Sequence, residues 1–173
     1  MPFTPFHFGA GLGAKGAVAP VFSWTAFCAA QVVIDCESLY HIVRHDYPVH
    51  RFFHSFVGTG LAGIVTSAGI FVALYLLGRT GSLLEDERWR RVPAFRGEVA
   101  PIGVWAGGIL GGLSHTVLDG MMHHDVRPFM PWSDWNPFLG VVSVGALHWL
   151  CAAVAAGGAL GLAFWMRPSR MAA

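Results

Sequence analysis

The chain has 173 residues, of which 54% are hydrophobic and 12% are charged, and its mean hydropathy is +0.53. Soluble domains carry about 25% charged residues, so this composition excludes an ordinary soluble domain and favours one membrane domain over residues 1–173. The 11 basic and 10 acidic residues nearly cancel, which leaves no overall field to attract nucleic acid as a partner.

Apolar runs recur along the chain, and a membrane-spanning helix needs roughly 20 such residues. The first run, residues 8–19, is too short to span, and Pro20 ends it, so we expect a half-helix or re-entrant segment. Four longer runs follow at residues 21–40, 52–78, 99–122 and 138–166. The predicted fold class is an all-α membrane protein with four transmembrane helices plus this short N-terminal segment.

Small residues spaced four apart mark predicted contacts between helices. Such spacing lets helix backbones approach closely in lipid. The pairs are Gly9 with Gly13, Gly107 with Gly111, Gly108 with Gly112, and Gly157 with Gly161.

Basic residues predict the orientation in the membrane. The 79–98 loop is polar and holds five arginines, and the C-terminal tail adds two more on the same side: Arg79, Arg88, Arg90, Arg91, Arg96, Arg167 and Arg170. By the positive-inside rule this loop is cytoplasmic. The loops rich in His and Asp then face outward, and the expected location is the inner (cytoplasmic) membrane of a bacterium, crossed several times.

The segment HRFFHS, residues 50–55, is predicted to open the second long helix. His50 and His54 are four residues apart, so on a helix they would share one face about 6 Å apart. This spacing lets one helix give two ligands to one metal ion. Two interfacial histidines at a helix start are the alternative interpretation.

The segment GGLSHTVLDGMMHHDVRP ends the third long helix. Its His115, Asp119 and His123 recur every four residues and would form one stripe. Ionisable groups are costly in lipid, so the stripe should face the bundle interior. Alternatively, Asp119 pairs with Arg127 or Arg51. We expect His124 and Asp125 to mark only the point where the helix leaves the membrane.

Two acidic residues, Asp35 and Glu37, lie at the polar end of the first long helix. Being two apart, they cannot share a face of a straight helix, but both reach a site if the helix ends or unwinds there. For Glu37 a solvated helix end is an equal alternative.

The topology brings these groups to one side of the membrane. The residues expected to converge are Asp35, His50, His54, His115 and Asp119. Mixed His and carboxylate ligands suit zinc, manganese or iron better than calcium or magnesium. Because these residues outnumber the four ligands of one tetrahedral zinc, a site that holds two metal ions fits their number better.

The order of these motifs resembles the small bacterial membrane-bound metal-dependent hydrolases, the YdjM-like group, and related membrane families of unknown function. The matching segments cover nearly the whole chain: MPFTPFHFGAGLGA, Asp35-Cys36-Glu37, HRFFHS and SHTVLD. The resemblance implies that His7 belongs to the site, provided the short first helix returns at Pro20. The chain departs from the family in having Ser38 where a His is frequent and Glu37 in place of Asp.

The leading hypothesis is metal-assisted hydrolysis at the outer membrane interface, on a phosphoester or acyl substrate that is lipid or lipid-linked. The expected ligands are His7, Asp35, His50, His54, His115 and Asp119, holding two divalent ions, zinc first, with manganese or iron as alternatives. Glu37 or His123 would act as general base or further ligand. Arg51 and Arg127 would bind an anionic substrate group.

Three other functions use the same features. One is a membrane di-iron redox protein with the same ligands. Another is a haem b protein with His54 and His115 as axial ligands and His148 as a further candidate; His148 alone is expected to be a core histidine. The third is an accessory subunit associated with other membrane subunits of a larger complex.

Overall fold

The structure is a computed structural model that describes residues 5–79 and 92–167, without the side chains of residues 78 and 79. Within these ranges the chain is helical and contains no strand, as the lengths of the apolar runs predict. The helices are α1 (Pro5–Val18), α2 (Trp24–Val43), α3 (Phe56–Arg79), α4 (Pro93–Val99), α5 (Pro101–Met122) and α6 (Val144–Trp165). Short 3-10 turns occur at Ala19–Val21 and Phe52–His54.

Three helices of the described ranges are long and apolar enough to cross a membrane, namely α2, α3 over Phe56–Leu77, and α6. This supports a membrane protein. The fourth predicted span, α5, has 22 residues, which is long enough at about 33 Å. Its glycines, His115 and Asp119 lower its hydropathy, however, and it is not among the three. The count of four spanning helices therefore stays a prediction.

The short helix α1 begins at Pro5 rather than at the expected Phe8, and it ends at Val18. Pro suits the first turn of a helix because its missing N–H would be unpaired there. The predicted break is confirmed, since Pro20 lies in the 3-10 turn that follows. With 14 residues, α1 is about 21 Å long, and it packs along α6.

An ion pair between a buried lysine and a half-buried glutamate holds the end of the bundle where α1 meets α4. Lys15 is 3% exposed and lies 2.8 Å from Oε1 of Glu98 on α4. Its Nζ also donates to the carbonyl oxygens of Ala19, Phe22 and Ala94. Because His7 precedes Lys15 by about 12 Å of helix, His7 lies towards the opposite end of the bundle.

The glycines of α5 let it pack closely between α2 and α3. A Cβ at Gly107 or Gly111 would meet the backbone of α2, at Ser23 and Phe27, and one at Gly108 or Gly112 would meet α3, at Ser67 and Thr59. Both predicted α5 pairs are therefore confirmed as close contacts. As a result, α5 is the central helix, with His115 and Asp119 near its end.

The contact between α1 and α6 also uses small residues. A Cβ at Gly9 would meet the carbonyl of Cys151, and one at Gly16 would meet the backbone of Gly158. Of the predicted pair on α6, Gly161 packs against Gly16, but Gly157 faces open space. The prediction was wrong for Gly157, because Gly158 occupies the packed face instead.

The predicted 79–98 loop lies largely outside the described residues. Arg88, Arg90 and Arg91 fall there, as do Arg170 in the tail and the side chain of Arg79. The described part, Pro93–Val99, is the helix α4 rather than an irregular loop. The cytoplasmic orientation of this side stays a prediction.

Candidate metal centre

His115 and Asp119 lie one turn apart on the buried side of α5. They are 0% and 3% exposed, and Nε2 of His115 lies 3.1 Å from Oδ2 of Asp119. The i, i+4 spacing predicted this proximity. Since α5 is enclosed by α2 and α3, the pair faces the bundle interior, as the cost of ionisable groups in lipid requires.

Side chains from three other parts of the chain converge on this pair. Nε2 of His7 on α1 lies 3.4 Å from Oδ1 of Asp119, and Nε2 of His54 lies 3.5 Å from Oδ2. Asp35 on α2 has its Oδ1 3.5 Å from Nε2 of His115. All five side chains are buried. These residues, His7, Asp35, His54, His115 and Asp119, are called the deep cluster.

Four members of the deep cluster have donor atoms close enough to share one ion. One ligand atom from each of Asp35, His54, His115 and Asp119 lies within 4.8 Å of the others. The His7 ring adds a further imidazole, with its centroid 5.0 Å from that of His115. Imidazole and carboxylate ligands together suit zinc, iron or manganese.

Two of the inward-facing rings have nitrogen atoms that the protein does not satisfy. Within the described residues, both ring nitrogens of His7 and Nε2 of His115 are buried without a hydrogen-bond partner. The contacts of His7 and His115 to Asp119 are short but not aligned as hydrogen bonds. Because a buried unpaired polar atom costs about 1–3 kcal/mol, a cation between the rings and the carboxylates would relieve this cost. The residues therefore fit a metal ion.

Acceptors behind the rings fix the orientation of two of these histidines. Nδ1 of His115 donates to Oε1 of Gln31 on α2, and Nδ1 of His54 donates to Oε2 of Glu37 at 3.2 Å. Each bond puts the proton on Nδ1 and leaves Nε2 as the ligand atom, the arrangement found around protein-bound metals. Gln31 was missed by the sequence reasoning, since a single neutral residue in an apolar run gives no signal.

Glu37 contacts the Nδ1 side of the His54 ring, so it does not lie where a general base was expected. Its Oε2 accepts hydrogen bonds from His54 and from the backbone N–H groups of Arg51 and Phe53. Although α2 continues without a break to Val43, both Asp35 and Glu37 reach the site, because the chain at residues 50–54 folds back over the end of α2. Ser38, at the position where the family often has His, lies 3.3 Å from Nε2 of His54.

The segment HRFFHS does not open a helix, so the predicted helical pairing of His50 with His54 was wrong. The helix α3 begins only at Phe56, and His54 ends the preceding 3-10 turn. Ser55 caps α3 by accepting from the N–H of Gly58, while the N–H of Phe56 donates to the carbonyl of Pro128. His50 therefore lies outside the deep cluster.

A second group lies beside the deep cluster and nearer the surface. Its members are His50, His123 and Asp125, whose donor atoms also lie within 4.8 Å of one another, and it is called the shallow cluster. Nδ1 of His50 lies 2.8 Å from Oδ1 of Asp125, and the rings of His50 and His123 are stacked with centroids 4.4 Å apart. The rings of His50 and His54 are 4.7 Å apart, so the two clusters adjoin.

Two predictions about the end of α5 were wrong for one reason. The helix ends at Met122, and His123 has extended backbone angles, φ −116° and ψ 124°. His123 therefore leaves the stripe of His115 and Asp119 and meets His50 instead. Asp125 does not merely mark the exit from the membrane, because the chain turns back and its carboxylate contacts His50.

Burial and neighbouring charges set the protonation of the shallow cluster. Burial lowers the pKa of His50, as does the nearby His54, and burial also lowers the pKa of His123. Burial works against ionisation of Asp125, but the hydrogen bond from His50, the attraction to His50 and the backbone hydrogen bonds together outweigh it and hold the pKa of Asp125 below its usual range. These directions favour neutral imidazole and ionised carboxylate, the forms that bind metal.

Neither arginine considered as a partner of Asp119 or of substrate reaches the deep cluster. Arg51 lies 2.7 Å from Oδ1 of Asp46, and Arg127 donates to Asp134 at 2.8 Å. Both pairs are at least partly exposed. The structure therefore contradicts the alternative in which Asp119 pairs with Arg51 or Arg127. A role of these arginines towards substrate stays a prediction.

The remaining histidines of interest lie apart from both clusters. The ring of His148 on α6 stacks on Phe6 of α1, with centroids 4.2 Å apart. His41, in the last turn of α2, contacts Asp46 at 3.2 Å. Neither histidine belongs to the deep cluster or to the shallow cluster.

Comparison with known proteins adds no assignment. No protein-family model, no curated protein and no solved structure matches the chain.

Proposed function

We propose that this protein is an integral membrane hydrolase that depends on divalent metal bound at the deep cluster. The observation that carries the proposal is the convergence of three buried imidazole nitrogens on the carboxylate of Asp119, two of them on rings with unsatisfied nitrogens. The order of motifs shared with the YdjM-like hydrolases supports the same reaction class. We propose zinc as the metal and two ions per chain, in the inner membrane of a bacterium.

The chain's own residues would position the reaction. Asp119 and the three rings would hold the cation, which when bound would supply a Lewis acid and activate water as a nucleophile near neutral pH. Glu37 accepts three donors, so we assign it the orientation of His54 rather than proton transfer. The buried walls on α2 and α5 exclude bulk water and strengthen the electrostatic contacts within the site.

The proposed substrate is a phosphoester or acyl compound with a lipid portion. This proposal is supported by the position of the site at one end of the apolar helices. The aromatic segment 129–138 follows α5 at the same end. Trp132 and Trp135 of that segment are exposed, as expected for side chains at a membrane interface. A substrate from the membrane would then reach the site at headgroup depth.

Replacing Asp119 tests this proposal. We expect Asp119→Asn to lower hydrolysis of bis(p-nitrophenyl) phosphate or of a p-nitrophenyl acyl ester in mixed micelles by about 100-fold or more, because weaker outer-shell changes alone cost 10–100-fold. Asp134→Asn is the matched control, since Asp134 is an exposed carboxylate in the segment that follows α5. Full activity of Asp119→Asn, or an equal loss in both variants, would contradict the proposal.

A further inference from the structure

We propose that the shallow cluster is a separate metal site, which binds the second ion at the entrance to the deep cluster. The inference deepens the proposed function and rests on it for the reaction that the ion would assist. The binding of the ion itself is an independent property. Of the shallow cluster only His50 lies in a segment that carries the motif resemblance, whereas His123 and Asp125 lie outside the matching segments.

The shallow cluster offers two imidazoles and one carboxylate in a fixed arrangement. Oδ2 of Asp125 accepts from the backbone N–H groups of Val49 and His50, at 3.2 and 3.3 Å. Its orientation is therefore set by the backbone, and Oδ1 is left to face His50. Two His and one carboxylate form the donor set of catalytic zinc sites and of non-haem iron sites.

The remaining coordination positions would face an open cavity. A pocket of about 540 Å³ is lined by all three members of the shallow cluster, together with Tyr47, Pro48, Val49 and His124. Catalytic metal sites use three protein ligands and keep a further position for water or substrate. An ion here would present that position to the pocket, where an oxygen atom of a substrate could bind.

Burial distinguishes the two sites in a way that can be measured. The ligands of the deep cluster are all buried, whereas the shallow cluster combines a buried His50 with half-buried His123 and Asp125. A chelator can therefore reach the shallow ion first. We expect brief treatment with EDTA to remove one of two bound ions, and prolonged treatment to remove both.

Counting bound cobalt tests the site. Full-length protein in detergent, freed of metal and titrated with Co²⁺ alone, should bind about two ions per chain, as a two-metal centre requires. His123→Ala should bind one. His124→Ala is the matched control, because His124 lines the same pocket but belongs to neither cluster, and it should still bind two.

Other counts would overturn the inference. Equal binding by wild type and His123→Ala, at either one or two ions, means that the shallow cluster holds no ion and that Asp125 serves only to orient His50. If His123→Ala does not fold, stepwise chelation of the wild type decides, and release of all bound ions in one step contradicts a separate site. Two bound ions without hydrolysis would refute the proposed function and leave this site intact.

Discussion

Asp119 is the residue on which the three histidine rings of the deep cluster converge. Its two carboxylate oxygens lie within 3.5 Å of ring nitrogens from α1, α5 and the turn before α3. A buried carboxylate is stable only when paired, hydrogen-bonded or bound to metal. Since the contacts from His7 and His115 are not aligned as hydrogen bonds, a cation shared by the rings and the carboxylate explains the arrangement better than ion pairs between Asp119 and protonated histidines do.

Gln31 is expected to act through His115. It is 1% exposed, and its Oε1 accepts from Nδ1 of His115. We expect Gln31→Leu to weaken metal binding by about 10–100-fold, the usual effect of losing an acceptor behind a metal-bound histidine. Competition with a chelating dye measures the affinity.

The control for Gln31 is Ser114→Ala. Ser114 accepts from Nε2 of Gln31, so this change removes the other polar contact of Gln31 and keeps the bond to His115. Its metal affinity should stay within about twofold of wild type. Unchanged affinity in Gln31→Leu would show that His115 needs no fixed tautomer to hold the ion.

At the scale of elements, the glycines of α5 set how closely the ligand-bearing helices approach. A Cβ at Gly112 would overlap the carbonyl of Thr59 on α3, and the backbone cannot yield without separating the helices. We expect Gly112→Ala to lower the free energy of unfolding by about 1–3 kcal/mol, as overpacking does. Unfolding in SDS measures it.

Gly60→Ala is the matched control, because a Cβ there meets no atom within 4 Å. Alanine favours helix over glycine by about 0.8–1 kcal/mol, so this variant should be as stable as wild type or more so. A Gly112→Ala protein with wild-type stability would show that α5 and α3 are not held at this distance.

The spacing of residues predicted contacts between elements better than it predicted the ends of elements. The α5 glycine pairs and the His115–Asp119 pair follow from helical periodicity, which is a local property. The start of α3 and the end of α5 do not follow from helical periodicity, because they depend on groups that are distant in sequence. Glu37 holds the N–H groups of Arg51 and Phe53 outside a helix, and His50 holds Asp125 after α5 has ended. Ser55 is a preferred N-cap residue, and as such it indicates that α3 begins at the next residue.

At the scale of the whole molecule, the topology assembles the site. The end of α2, the residues before α3 and the end of α5 meet at one end of the bundle, as the predicted up-and-down order required. His7 joins them because α1 runs away from that end and the chain turns back at Pro20. The membrane character followed from composition, and the helical class followed from the lengths of the apolar runs. The division into a deep and a shallow cluster could not be predicted, since it results from side-chain contacts between segments far apart in sequence.

Elemental analysis of the detergent-purified wild-type protein tests whether the two clusters hold metal. We expect a transition metal, zinc first, at about two ions per chain, as a two-metal centre requires, and a melting temperature that falls when chelator removes it. A folded protein that contains no transition metal, binds none on incubation with zinc, and keeps its melting temperature in chelator would contradict the proposal of a metal centre.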